Sequence, residues 1–263
     1  MVLRRVFLAI LTLALVATLL PASTLAGRKN ARGTLSDNRL IESEYLGYRL
    51  QYRVYLPAGH DSLAELPVLY VADGQWYIEP GGLTRQLDRM IGKGTIEPVI
   101  AVFLDNRDPD SGANRRQQQF FCNRDFVRFV GLELTAEIDR TYPTRKDRDA
   151  RTILGLSFGG LNSACFGLMA FDDFRGIAMQ SPSTHPVSNL LKAYEQAPKQ
   201  DLKFFLSVGR LEGLAEPVRQ LKAILKEKGY ALFYKEVPYG HDWDNWRPLL
   251  ADILRFYYGN EEP

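Results

Sequence analysis

Cysteine and histidine are scarce in this chain, with two and three residues respectively among 263. Two cysteines cannot build the disulfide-dense scaffold on which small secreted domains rely. The histidines and cysteines show no ligand spacing of the H-E-x-x-H kind, so no metal site is expected, and neither a glycine-rich phosphate loop nor a dinucleotide fingerprint points to a cofactor. Charge of one sign is also missing. Basic residues number 33 and acidic residues 31, a formal net charge of +2, with no run of like charges. A nucleic-acid partner is therefore not expected. Internal repeats and low-complexity tracts are absent as well. What is present is an ordinary globular composition, 46% hydrophobic, and a length that suits one domain with a sizeable core.

Residues 1–26 stand apart. Arg4 and Arg5 lead into an apolar run from Val6 to Leu20, and small residues follow to Ala26. That is the layout of a secretory signal peptide, with cleavage expected before Gly27. The mature domain would then carry no formal net charge and would be periplasmic or secreted. The alternative is an uncleaved anchor, since the apolar stretch reaches the roughly 20 residues that span a bilayer; only then would a stable membrane partner be expected. In an oxidising compartment Cys122 and Cys165 could pair, and the sequence leaves that open.

Residues 27–38 read as a polar linker, and 39–263 as one folded domain. Alternation from Ile41 to Leu56, broken at Leu46-Gly47, predicts a hairpin. Beyond it, short apolar runs predict buried strands at Leu66–Val71, Pro98–Leu104, Thr152–Leu154, Gly176–Met179, Phe204–Val208 and Leu232–Val237. Helical periodicity separates them: Leu83 to Ile91, Asp125 to Tyr142, Val218 to Leu225 with Gly229 as its cap, and Trp243 to Tyr258 as a closing helix. Strand and helix alternating at this spacing predict an α/β fold, a mostly parallel doubly wound sheet with an antiparallel N-terminal edge.

Within that frame the most informative stretch is Gly155-Leu156-Ser157-Phe158-Gly159. A G-x-S-x-G between a strand and a helix is the nucleophile-elbow pattern, in which glycines allow a sharp turn that lifts a serine hydroxyl above the sheet. A serine hydroxyl is a weak nucleophile without a base. Of His60, His185 and His241, only His241 follows the last strand, in Gly240-His241-Asp242-Trp243. The acid belongs between serine and histidine in the chain. Glu212, after the Phe204–Val208 strand, fits; Asp242 and Asp244 sit too close to the base to orient it. The oxyanion hole needs two backbone N–H groups. Phe158 supplies one by position, and the Asp73-Gly74-Gln75-Trp76 loop supplies the other from Gln75 or, as second choice, Gly74. Trp76, Trp243 and Trp246 cluster at strand ends and are candidate substrate contacts. Arg116, in the arginine-rich segment from Asp105 to Arg124, is a candidate for gripping an anionic or catecholate substrate.

These residues resemble the esterase-D-like branch of the α/β-hydrolases, and most of all its enterochelin (ferric-siderophore) esterase-like members. The resemblance runs from about Ile41 to Tyr258. It rests on Leu69 to Trp76, Gly155 to Gly160, Gln180-Ser181-Pro182-Ser183, Val208 to Glu212, and Gly240-His241-Asp242-Trp243 with Trp246. It implies an α/β-hydrolase fold and a serine esterase acting on a small-molecule ester, with Ser157 as nucleophile, His241 as base and Glu212 as acid. One departure is Gln119, where the family often has an acid after Arg116. Two other functions stay open on the same residues: an acyltransferase of the mycolyltransferase type, and a non-catalytic binding protein on this fold.

Overall fold

The chain builds its sheet from the hairpin outward. The structure, a computed structural model, describes residues 32–63 and 65–260. The expected signal segment 1–26 lies outside them. Among the described residues the strands are β1 (Thr34–Leu35), β2 (Arg39–Ser43), β3 (Tyr48–Leu56), β4 (Val68–Val71), β5 (Ile100–Asp105), β6 (Arg151–Leu156), β7 (Gly176–Gln180), β8 (Lys203–Gly209) and β9 (Ala231–Val237). They form one sheet in the order β1-β3-β5-β4-β6-β7-β8-β9, with β2 also paired to β3. β3 runs antiparallel to β1, β2 and β5, and every pair from β5 to β9 is parallel. The expected mostly parallel sheet with an antiparallel N-terminal edge is what forms.

Strand residues alternate between two cores because successive side chains point to opposite faces. In β4, Val68 and Tyr70 join one core, while Leu69 and Val71 join the other. The first core is closed by the helix Phe158–Met169 and by Ala215–Glu227, and the second by Leu83–Gly92 and Leu250–Tyr258. The near-continuous apolar runs of the central strands are the signature of this double cover.

Three expectations needed correction. The predicted linker 27–38 is not free in its described part: β1 pairs with β3, and Gly33 N–H donates to Asp88 at 2.7 Å. The predicted helix 125–142 is broken by a π-helical stretch, Phe129–Leu134, where the Thr135 hydroxyl bonds back to the Gly131 carbonyl at 2.6 Å. The buried residues Phe126, Val130, Leu134 and Ile138 recur every fourth residue through it, a spacing that an α-helix also shows. The predicted closing helix splits into Trp243–Trp246 and Leu250–Tyr258. Pro248 lies between them, and proline has no N–H for a helical ladder. Finally, Cys122 and Cys165 form a disulfide, Cα atoms 5.1 Å apart, which answers the pairing left open above.

Candidate active site

Strand β6 ends at Leu156 and the helix Phe158–Met169 begins two residues later, so Ser157 alone must reverse the chain. It does so with φ 56° and ψ −118°, a backbone state that L side chains rarely adopt. Glycine is needed on both sides of this bend. A Cβ on Gly155 would lie 2.1 Å from the Gly159 carbonyl oxygen, and one on Gly159 would lie 2.9 Å from Asp73 Oδ2. The bend is tied down from next door: Ser157 N–H donates to the Gln180 carbonyl (2.9 Å) and the Ser157 carbonyl accepts from Ser183 N–H (3.0 Å).

The loop after β9 brings His241 over this serine. Its Nε2 lies 2.8 Å from Ser157 Oγ, and its Nδ1 meets Glu212 Oε2. Glu212 comes from the loop after β8 and is buried. Its other oxygen, Oε1, accepts from the Ser181 hydroxyl (2.6 Å), from Asn245 Nδ2 (3.0 Å) and from Gly209 N–H. Three contacts on Oε1 and one on Oε2 hold this buried carboxylate in one orientation. Asp242 has a different task. Its carboxylate caps the short helix Trp243–Trp246 through Asp244 and Asn245 N–H, which fixes the loop carrying His241.

Two backbone donors sit at the starts of the helices that follow the paired strands β4 and β6. Phe158 opens one helix and Gln75 is second in Gly74–Ile78; among the described residues neither N–H has a hydrogen-bond partner. First-turn N–H groups are left over in any helix, and they favour negative charge. Gly74 has room only without a side chain, since a Cβ there would fall 2.5 Å from Phe103 Cβ. Hydroxyl, imidazole, carboxylate and free N–H groups in this order can carry out acyl transfer.

The substrate-contact candidates fare differently. Trp76 is exposed beside the Gln75 loop. Trp246 is buried; its Nε1–H donates to Ser181 Oγ (2.9 Å) and its ring meets His241. Trp243 packs edge-on against Tyr77 and Trp246, ring centroids 5.4 and 5.6 Å away. Arg116 spends its fork on the buried Asp73, Nε to Oδ1 at 2.8 Å and Nη2 to Oδ2 at 2.7 Å. Arg116 and Trp246 thus have their polar groups engaged within the protein, while Trp243 is half-buried. The sequence reading gave no role to Asn245, and its spacing from His241 is its one sequence signal. Ser181 lay in a motif stretch without an assigned role. Among the described residues no cluster of metal-ligating side chains occurs. Beside the Gln75 loop a cleft of about 310 Å³ is lined by Asn38, Gln51, Arg53 and Glu79 among others.

The family model described as "Putative esterase" matches residues 43–257. The chain belongs to the Esterase family. A relative from Bacillus subtilis (strain 168), the uncharacterized protein YjcH, is 26% identical over 233 residues, covering 85% of this chain and 97% of that protein. The iron(III) salmochelin esterase of Escherichia coli O6:H1 is 26% identical over 234 residues, covering 81% of this chain and 55% of the relative. Among solved structures, the enterobactin esterase FES of Shigella flexneri superposes with a TM-score of 0.76 at 23% identity, covering 84% of this chain and 58% of that one. This chain therefore spans little more than half the length of those two esterases. The sheet is that of the α/β-hydrolase fold, and the protein is a carboxylic ester hydrolase.

Proposed function

We propose that the protein is a serine esterase working through an acyl-enzyme, with Ser157 as nucleophile, His241 as base and Glu212 as the orienting acid. The observation that carries this is the 2.8 Å contact between Ser157 Oγ and His241 Nε2, with Glu212 on the far ring nitrogen. Glu212 accepts a hydrogen bond from Nδ1–H, which fixes the tautomer with Nε2 free to take the serine proton as Oγ attacks the ester carbonyl. Phe158 and Gln75 N–H groups receive the oxyanion. His241 returns the proton to the departing alkoxide, and the same base then activates water against the acyl-serine. The side chain of His241 is 36% exposed, so water has access to that step, which favours hydrolysis over transfer to another alcohol.

The substrate reading is an ester with an aromatic acyl group. Three aromatic rings gather beside the elbow, Trp76 and Phe158 on either side of the Arg116 guanidinium and Phe121 edge-on to Phe158 at 5.0 Å, and the salmochelin and enterobactin esterases are relatives in name and fold. Export to an oxidising compartment is the corresponding proposal for location; the Cys122–Cys165 disulfide supports it. N-terminal sequencing of the exported protein should begin at Gly27.

The deciding experiment is hydrolysis of a short p-nitrophenyl ester by the protein and by Ser157→Ala and His241→Ala. Each substitution should lower kcat about 10⁴-fold or more. Unchanged turnover in either variant refutes the assignment. Profiling across catecholate, feruloyl, acetyl-sugar and aliphatic esters should give the highest kcat/KM for an aromatic acyl group; preference for a simple aliphatic acyl chain overturns that part.

A further inference from the structure

Arg116 and Asp73 link the two segments that carry the free N–H groups. Asp73 immediately precedes Gly74-Gln75 and is itself in the left-handed region, φ 57°. Its side chain is fully buried, and both carboxylate oxygens accept from the Arg116 fork. Asp73 Oδ2 also lies against Gly159, close enough that only a glycine fits there. The carboxylate therefore touches the nucleophile helix one residue past Phe158. Besides Phe120 of its own segment at 5.9 Å, the guanidinium faces two rings from elsewhere in the chain, Trp76 at 4.9 Å and Phe158 at 5.3 Å. One of these residues follows Gln75 in the chain, and the other is the second donor. A single side chain thus contacts the loop from β4 and the elbow from β6 together.

Arg116 is itself held. Its N–H donates to Asn114 Oδ1 at 2.9 Å, and the segment it starts, Arg116–Phe120, runs straight into Cys122, whose disulfide to Cys165 fastens it to the nucleophile helix. Little of the guanidinium remains for a ligand, since its side chain is 13% exposed and its fork is taken. The pair is also a poor source of stability. Burial raises the Asp73 carboxyl to about 6 even with Arg116 beside it. A buried ion pair that returns little net free energy can still impose a geometry, and at this place geometry is what it supplies.

We propose that Arg116 is a positioning residue for the oxyanion hole, holding the Gln75 and Phe158 N–H groups in register through Asp73 and through the rings of Trp76 and Phe158. The proposal rests on the serine-esterase reading. In the ground state these donors do little; as the carbonyl oxygen gains charge, their alignment decides how much of it they stabilise. Loss of Arg116 should therefore act on kcat rather than on KM.

The test compares the full chain with Arg116→Met and Arg116→Lys on a neutral p-nitrophenyl ester and on one with a carboxylate in its acyl group. A trifluoromethyl ketone, which forms a tetrahedral adduct on serine, is titrated in parallel. Arg116→Met should lower kcat about 10²-fold on both esters, the range for loss of one oxyanion donor, with KM changed less than about threefold. Affinity for the ketone should fall by the same factor as kcat/KM. Arg116→Lys keeps the charge without the fork and should recover part of the loss while remaining folded by circular dichroism. Adding Asp73→Asn to Arg116→Met should cost little more, because the two act as one unit. A rise in KM confined to the anionic ester, with kcat kept, would make Arg116 a substrate-anion site and overturn the proposal. So would a kcat loss that the ketone affinity does not follow, or full activity in both variants. Failure of the parent reading looks different: Ser157→Ala would then turn over like the unmodified protein, whatever Arg116 does.

Discussion

The indole of Trp246 stands edge-on to the imidazole of His241, ring centroids 4.8 Å apart and planes at 87°. Its N–H reaches Ser181 Oγ, and that hydroxyl donates to Glu212. One side chain thus braces the base directly and the acid through a serine. Trp246→Phe keeps a ring but removes the donor. Losing one buried hydrogen bond is worth about 1 kcal/mol, so kcat should fall roughly fivefold to tenfold. KM should stay put, because the indole is buried under the base. A raised KM with kcat intact would return Trp246 to the substrate surface.

Glu212→Gln tests the acid on its own. The carboxamide NH₂ would face Nδ1 as a donor and favour the tautomer with its proton on Nε2, which cannot accept the serine proton. A loss of about 10²–10⁴-fold in kcat/KM is expected on the p-nitrophenyl ester. Glu212→Asp keeps the charge at a shorter reach and should lose less. Near-normal activity in Glu212→Gln would mean that another group orients His241.

The alternation of strands and helices along the chain and the meeting of Ser157, Glu212 and His241 could be read from the sequence because each rests on local signals at fixed places. Apolar runs mark the strands, and the three side chains follow the ends of three of them. What could not be read depends on contacts between distant segments. The fork of Arg116 looked free because nothing in its neighbourhood announces Asp73, 43 residues earlier. Asn245 joins Glu212 across 33 residues. The wide turn at Phe129–Leu134 is masked because the buried residues across it stand four apart, as on an α-helix. Pro248 was visible, but the apolar stripe on either side of it, Trp246 with Leu249 and Leu250, reads through the break.

The Cys122–Cys165 bond closes a loop with a sequence separation of 43. On a chain-entropy account, a loop of that size is worth about 4 kcal/mol through the unfolded state. The double substitution Cys122→Ser, Cys165→Ser should lower Tm by roughly 10 °C in a protein of this size. Calorimetry of the two forms without reductant checks it. A shift under 2 °C would mean that the unfolded chain is not restrained by this link.

Asp73 makes stability depend on pH in an unusual direction. Burial raises its carboxyl from 3.8 to about 6, against the opposing pull of Arg116; Asp105 raises it further. Between those values the folded protein keeps a proton that the unfolded chain has released. Stability from this group is therefore full below pH 4 and declines as pH rises through about 6. Asp73→Asn lacks the term. The difference in Tm between the unmodified protein and Asp73→Asn should shrink from pH 4 to pH 6.5 and level off above. A difference that grows across that interval would show the ion pair outweighing burial.

Gly155 separates the role of the bend from the role of the groups it carries. A methyl group there would approach the Gly159 carbonyl oxygen to 2.1 Å, and the atom it meets is backbone. No rotamer change can relieve it, so the nucleophile helix must slide away from β6. That slide moves Ser157 and Phe158 together, away from a histidine fixed on a different strand end. Gly155→Ala should therefore lower stability by about 2–4 kcal/mol, in the range for severe overpacking. It should also lower kcat by more than about 10²-fold, since small misplacements of a nucleophile are expensive. Gly213→Ala is the control: a Cβ there meets nothing within 4 Å, and its Tm should move by less than about 2 °C. If Gly155→Ala kept both Tm and kcat, the elbow would tolerate a helix shift, and the alignment of Ser157 with His241 would not depend on the close seating of helix on strand.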